Sequence, residues 1–327
     1  KNLRLLNKQS VEELEQALVA APNEEEEAKV KLDLAVAYSF LQQDPVKGLA
    51  MSKGVVENTS YEGRLRARAL LKILFSFIVQ RMDIEFARER IFTEGEPWNS
   101  FAAGNTDMEV ATRNAYEWTL QYGVWPSANY YIASWYGARL LEDSMGAISL
   151  DEKTRNEYLE KFSSYAKEAD KWLPDLLAAP HNEQYEKAMM VGQRGKIHMI
   201  SYMLTDDEEE FAASEQSYKQ ALDMMKNLPA SGYSEAYIRW FGAPIVLDYA
   251  MLLSYEVEKH QKEEFKNTVS KLVLLITQIT NKQVNVVTLL SNIGKLPDSH
   301  AYVRLTKNIA EVDPTFKSFL KDLGWNL

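Results

Sequence analysis

The sequence predicts an all-α protein built from antiparallel helical hairpins, a degenerate tetratricopeptide-like α-solenoid. Three observations carry this. Helix-start signals and apolar residues at 3.6-residue spacing recur from end to end. Gly numbers 14 and Pro 10 in 327 residues, too few for a turn-rich β protein. The breaks between helical stretches are short, and short connections make consecutive helices antiparallel neighbours. Residues 1–327 read as one helical-repeat domain, with a sub-boundary near residues 173–183.

The elements follow in order. Ser10 with Glu13 reads as a capping box ahead of Leu14, Ala17 and Leu18, and Pro22 closes that helix. Asn23 should start a second helix, with Glu24, Glu25, Glu26 and Glu27 in the turn where the helix dipole favours acids. Its buried face would be Val30, Leu34, Ala37, Tyr38 and Leu41. Asp44-Pro45 is an N-cap followed by proline at the first helical position, opening a helix with Leu49, Ala50 and Val56. Ser60 begins a long helix through Leu65, Ala69, Ile73, Phe77 and Met82. Further helices are predicted at 84–94, 106–122, 127–144, 152–171, 183–204, 207–227, 235–258, 262–280, 298–311 and 314–323. Residues 284–290 read faintly as a strand; one strand makes no sheet, so a short helix or loop is expected there.

No strict repeat is visible. The best degenerate unit spans 211–229, with Ser214, Tyr218, Ala221, Leu222 and Pro229 at the spacing of a tetratricopeptide second helix. Small residues there let two helices approach and the aromatic fills the gap beside them. Ala35 and Tyr38 with Gly48, Leu49 and Ala50 form a second candidate. An irregular bundle with alanine on its contact faces is the competing reading.

Composition narrows the function. Lys and Arg total 37 against 47 Asp and Glu, a formal charge of −10 and a sequence pI near 5.1. Such a surface repels phosphate backbones, so no nucleic-acid partner is expected. Cysteine is absent, which removes disulfides, thiolate catalysis and Cys-ligated zinc. It also fits export. The chain opens on Lys1, which we read as a processed mature form or a trimmed one, with room for a lost leader or lipobox cysteine. No apolar run reaches membrane-spanning length; residues 69–79 are interrupted by Lys72 and Ser76.

Catalytic signatures are missing: no HExxH, Walker A, GxSxG or GxGxxG occurs. No catalytic residue, metal ligand set or cofactor is therefore assigned. The histidines are His181, His198, His260 and His300; His181 and His300 lie near helix starts, His260 in a charged stretch. His198, beside Ile197 and Met199, reads first as a hydrogen-bonded core residue. Gly192-Gln-Arg-Gly195-Lys196 mimics a KH-domain loop, but its helical context makes the glycines points of close helix packing. The acidic run 206–210 lacks the ligand spacing and glycine of a calcium loop and reads as a solvated helix start.

Aromatics are the more informative set. They crowd at Trp118, Tyr122, Trp125, Tyr130, Tyr131, Trp135 and Tyr136, and again at Tyr233, Tyr237, Trp240 and Phe241. Gap-filling between helices explains them simply; a cleft or partner groove lined by Trp and Tyr is the functional alternative. Pro244 is expected to kink its helix near Trp240 and open space there.

The stretch Ala128-Asn129-Tyr130-Tyr131-Ile132-Ala133-Ser134-Trp135-Tyr136-Gly137 resembles the YW-x-A-A-S-W-G segment of the T-component proteins of TRAP transporters. Arg64, Arg66 and Ala67, then Gly195-Lys196-Ile197-His198, the helix at 211–222 and Glu263-Glu264-Phe265 are similar to further features of that family in the same order. Tyr131 stands where the family prefers Trp, and Tyr136 is an extra residue before the glycine. The resemblance implies a periplasmic lipoprotein with tetratricopeptide-like helices, an apolar cleft or pore, and a periplasmic substrate-binding protein as partner.

We thus expect a non-catalytic protein that mediates protein–protein association, with a hydrophobic small ligand and homo-oligomerisation as accompanying expectations. Tyr130, Tyr131, Trp135, His198 and Trp240 are the expected cleft residues. The alternative is a cytoplasmic tetratricopeptide-like scaffold that grips a peptide or partner helix in its concave groove.

Overall fold

The computed structural model describes residues 2–40, 44–62, 65–66, 69, 125–178, 184–227, 233–280, 287, 290–291, 293–294, 296 and 298–327. These form eleven α-helices and one 3-10 turn, and no β-strand occurs among the described residues. The helices are α1 (Asn2–Val19), α2 (Glu24–Phe40), α3 (Pro45–Glu57), α4 (Trp125–Ser144), α5 (Glu152–Ala178) and α6 (Gln184–Thr205). They continue with α7 (Glu208–Lys226), α8 (Tyr233–His260), the turn Glu263–Phe265, α9 (Lys266–Thr280), α10 (Ala301–Val312) and α11 (Pro314–Asp322). From α4 onward the predicted helices are all present, most with ends shifted by a few residues. The helices expected at 84–94 and 106–122, and most of the one after Ser60, lie outside the described residues. Residues 287, 290, 291 and 293 are helical, in keeping with the non-strand reading of that segment.

Two compact units divide the chain, Lys1–Trp135 with Ser231–Tyr233, and Tyr136–Ala230 with Ser234–Leu327. The division falls within α4, and the sub-boundary expected near 173–183 lies inside the second unit.

In the first unit α2 packs on both α1 and α3. Val11, Leu14, Leu34, Ala37 and Tyr38 form its described core, flanked by Leu18, Val30 and Met51. Tyr38 also donates from its hydroxyl to Glu15 Oε1 at 2.6 Å. The caps of α2 and α3 are as predicted: Asn23 Oδ1 accepts from the Glu26 amide at 2.9 Å, and Asp44 Oδ1 from the Lys47 amide at 2.9 Å. The capping box at Ser10 is not a helix start. Residue 10 lies inside α1, which begins at Asn2, because the residues ahead of it contain no breaker and simply continue the helix.

The second unit is organised around α6, two of whose glycines, with one from α4, set three close approaches. A Cβ on Gly192 would meet Ile245 Cγ1 of α8 at 2.8 Å. One on Gly195 would meet the Tyr218 ring of α7 at 3.0 Å. On the facing helix α4, a Cβ on Gly137 would meet Ile200 Cγ2 and Phe162 Cε2 at 2.8 Å. Any side chain at these points would force the facing Ile, Tyr or Phe side chain to shift, at a packing cost. The close-packing role expected for Gly192 and Gly195 is therefore observed. Ser214 adds a polar stitch, its hydroxyl donating to the Gly195 carbonyl at 2.8 Å, while Tyr218 and Ala221 are fully buried. We expect Gly195→Val to cost about 1–3 kcal/mol, read as a lowered urea midpoint at unchanged slope.

The C-terminal helices close this unit. Val269, Leu272, Val273 and Ile276 are the buried face of α9, which packs on α10 and α11. Asp313 caps α11 through the Phe316 amide at 2.9 Å and accepts from Ser270 Oγ at 2.6 Å, so one carboxylate joins α9 to the α11 start. α8 runs as one helix through Pro244. No described helix is long and apolar enough to cross a membrane.

Candidate functional site

The five expected cleft residues fall in different settings. Tyr130 and Trp135 lie on α4 in the first unit and are 0% and 8% exposed. Neither ring offers a face to bulk solvent, so a ligand touching them would itself be enclosed by protein. Tyr131 and Trp240 occupy helical positions on α4 and α8, and their side chains lie outside the described residues. Trp118 and Tyr122 also lie outside them. His198 belongs to the second unit. Its Nδ1 is 2.7 Å from Glu210 Oε2 of α7, and its Nε2 is 4.0 Å from Asp170 Oδ2 of α5. It therefore pins the α6–α7 hairpin near its turn, the role of a hydrogen-bonded packing residue.

Tyr136, the next residue after Trp135, belongs to the second unit. Its ring stacks on Tyr165 with centroids 6.0 Å apart and meets Tyr158 edge-on at 5.2 Å, while Lys161 lies 5.3 Å from its centre. This part of the aromatic cluster clamps α5 onto α4.

Chemistry-bearing groups in the second unit come together where the sequence did not suggest. Lys196 of α6 and Asp248 of α8 are 7% and 8% exposed, and Nζ stands 3.5 Å from Oδ2. The same ammonium lies 4.7 Å from the Tyr302 ring centre on α10. Burial disfavours the ammonium, but Asp248 and Tyr302 outweigh it and hold Lys196 above its ordinary value. Burial likewise pushes the Asp248 carboxyl up, against the pull of Lys196.

A second ionic contact joins α4 to α10. Glu142 is 1% exposed and receives Arg139 at 2.8 Å on one oxygen and His300 Nε2 at 2.6 Å on the other. His300 is the N-cap of α10: its Nδ1 accepts from the Tyr302 amide at 3.2 Å. That hydrogen bond leaves the ring proton on Nε2, which stands near Glu142 Oε1 without a well-directed hydrogen bond. The expected position of His300 at a helix start is thus observed. Arg304 donates to the Met145 carbonyl and reinforces the same junction.

A third group sits where α6 and α8 end. Glu256, 0% exposed, accepts from the Tyr202 hydroxyl and pairs with Lys262 Nζ at 2.7 Å. Asp206 receives Lys259 at 2.6 Å, with His260 Nε2 at 3.7 Å. Hydrogen bonding from Lys259 holds the Asp206 carboxyl below its ordinary value.

One sequence signal could have found two of these groups. Asp248 and Glu256 interrupt the apolar face of α8, whose neighbours Leu247, Ala250, Leu252 and Leu253 are all buried. A lone carboxylate in such a run needs a partner from elsewhere in the fold. Periodicity does not say which partner.

These pairs hold helices together; among the described residues no group of three His, Cys, Asp or Glu side chains could hold a metal. An open groove of about 970 Å³ runs along α7. Glu215, Gln216, Lys219, Gln220, Asp223 and Asn227 line it. Ala212, Leu222 and Met224 share the wall, so its lining is mixed, and its charges are matched: Lys219 is paired with Glu215 at 2.9 Å and Lys226 with Asp223 at 3.8 Å. Comparison with protein-family models, with curated proteins and with solved structures finds no match for this chain.

Proposed function

We propose that the chain is a non-catalytic helical-hairpin protein that associates with a partner protein, as an accessory component of a TRAP-type transport system. The observation that supports it best is how the ionisable groups divide. The buried Lys196–Asp248 and His300–Glu142 contacts join one helix to another, and an open groove of mixed lining runs along α7. Open grooves with mixed apolar and polar walls suit a protein surface better than an enclosed substrate. The close α6–α7 hairpin, with Ser214, Tyr218 and Ala221 at its seam, supports the tetratricopeptide-like reading. The partner implied by the resemblance is a periplasmic substrate-binding protein.

Native mass spectrometry of the full chain, alone and mixed with the substrate-binding protein of a TRAP system, tests this. A complex is expected, weakened at least tenfold by the α7 pair Gln216→Arg and Gln220→Glu with the thermal midpoint unchanged. The spectrum of the chain alone also reports any apolar molecule carried through purification. An empty chain that forms no complex with that partner would sink the proposal, and capture of a cytoplasmic peptide ligand instead would favour the scaffold reading.

A further inference from the structure

The end of α8 turns back over the α6–α7 turn and places Lys262 on a buried carboxylate. Glu256 has no exposed surface. Its Oε1 accepts from the Tyr202 hydroxyl. Its Oε2 lies 2.7 Å from Lys262 Nζ, yet carries no well-directed hydrogen bond. The ammonium is also 3.1 Å from Glu208 Oε1 and 5.2 Å from the Phe211 ring centre. Tyr202 meets Phe211 edge-on at 5.4 Å, and Phe211 meets Phe265 at 5.7 Å. Two carboxylates and an aromatic face around one ammonium are the recognition elements of an amine site: charge, hydrogen-bond acceptors and a π surface.

The segment that brings the ammonium there is held lightly. Gln261 adopts a φ of 55°, a left-handed conformation disfavoured for residues with a side chain. Gln261, Glu263 and Glu264 are exposed, Lys262 and Phe265 half-buried, and the turn Glu263–Phe265 buries no residue. Its attachments include the Lys262 ion pairs, the Lys262 amide on the Glu256 carbonyl at 3.3 Å, the Phe265–Phe211 ring contact and the exposed Glu263–Lys266 ion pair at 2.6 Å. A segment with so little buried surface opens at far lower cost than the helices beneath it. The neighbouring charges are satisfied separately: Lys259 pairs with Asp206, and His260 Nε2 stands 3.7 Å from Asp206 and 3.9 Å from Glu256.

We infer that Lys262 is the chain's own occupant of a site for a primary ammonium group, and that residues 261–265 are a strap whose lifting frees Glu256, Glu208 and Phe211 to bind one. The site does not depend on the association reading above. A free amine or the lysine side chain of a partner would supply the same chemistry.

Lys262→Ala in the full chain empties the site. Ethylammonium chloride is then expected to raise the thermal midpoint by about 3 °C over sodium chloride of equal ionic strength, at about ten times its Kd. Tetramethylammonium, which has no N–H to donate, is expected to match sodium, and the Glu256→Gln/Lys262→Ala double variant to show no rescue. Should Lys262→Ala fail to fold, Lys262→Met keeps the aliphatic stem and takes its place. In the unaltered chain, ethylammonium should speed amide exchange in residues 261–265 by displacing Lys262. An acetylated, amidated lysine peptide acting at lower concentration than ethylammonium would identify a partner's lysine as the occupant, and equal potency a free amine. No difference between ethylammonium and sodium in either the variant or the exchange experiment would overturn the proposal, as would equal rescue without Glu256.

Discussion

Lys196→Met is expected to destabilise the second unit by about 3–5 kcal/mol. The substitution leaves the Asp248 carboxylate in the interior, 8% exposed, without the ammonium 3.5 Å away. Attraction within the pair offsets the desolvation of both charges only while both are present, so removing one partner leaves the whole penalty of the other. Urea unfolding should show a large fall in midpoint. Lys196→Met combined with Asp248→Leu should recover most of the loss, because apolar replacements of similar volume remove both penalties together. A single variant within about 1 kcal/mol of the parent would mean that water reaches the pair and that it does not hold α6 against α8. The Tyr302 ring, 4.7 Å from the ammonium, ties α10 into the same point, so exchange protection in α10 should fall with that of α8.

Trp135→Ala is expected to cost about 3–5 kcal/mol in the first unit, the usual loss for deleting a large buried aromatic side chain. The indole is 8% exposed, and Tyr130 on the same helix is 0% exposed. Hydrogen exchange at residues 125–135 of α4 measures the effect within the first unit, where global unfolding of a two-unit chain would blur it. A loss below about 1 kcal/mol would instead mark Trp135 as the wall of an existing cavity, since a residue beside empty space forfeits few contacts when truncated. That outcome would favour the apolar cleft as a ligand site.

Much of the fold was legible because its signals are local. Asp44 followed by Pro45 caps and starts α3 within four residues, and the acidic residues Glu24, Glu25, Glu26 and Glu27 open α2. The spacing of Ser214, Tyr218 and Ala221 correctly marked a seam between two helices. Local signals also misled. Ser10 and Glu13 have the capping-box pattern, but that pattern needs a chain that arrives non-helical, and the preceding residues are helix formers. The candidate site was less legible. Aromatic clustering drew attention to Trp135 and Tyr136, but clustering does not say whether a ring meets a ligand or another helix. The structure aims Tyr136 at Tyr158 and Tyr165.

By itself the sequence determined the helical class, most helix boundaries among the described residues, and Gly192 and Gly195 as points of close helix approach, because caps, periodicity and side-chain size act within a few residues. The tertiary structure alone decided which charges are buried and with whom they pair. Tyr202 and Glu256 are 54 residues apart and Arg304 and Met145 are 159 apart, distances over which no periodicity carries information. A carboxylate in an apolar stretch announces that it needs a partner. Only the packing of one helix on another supplies it.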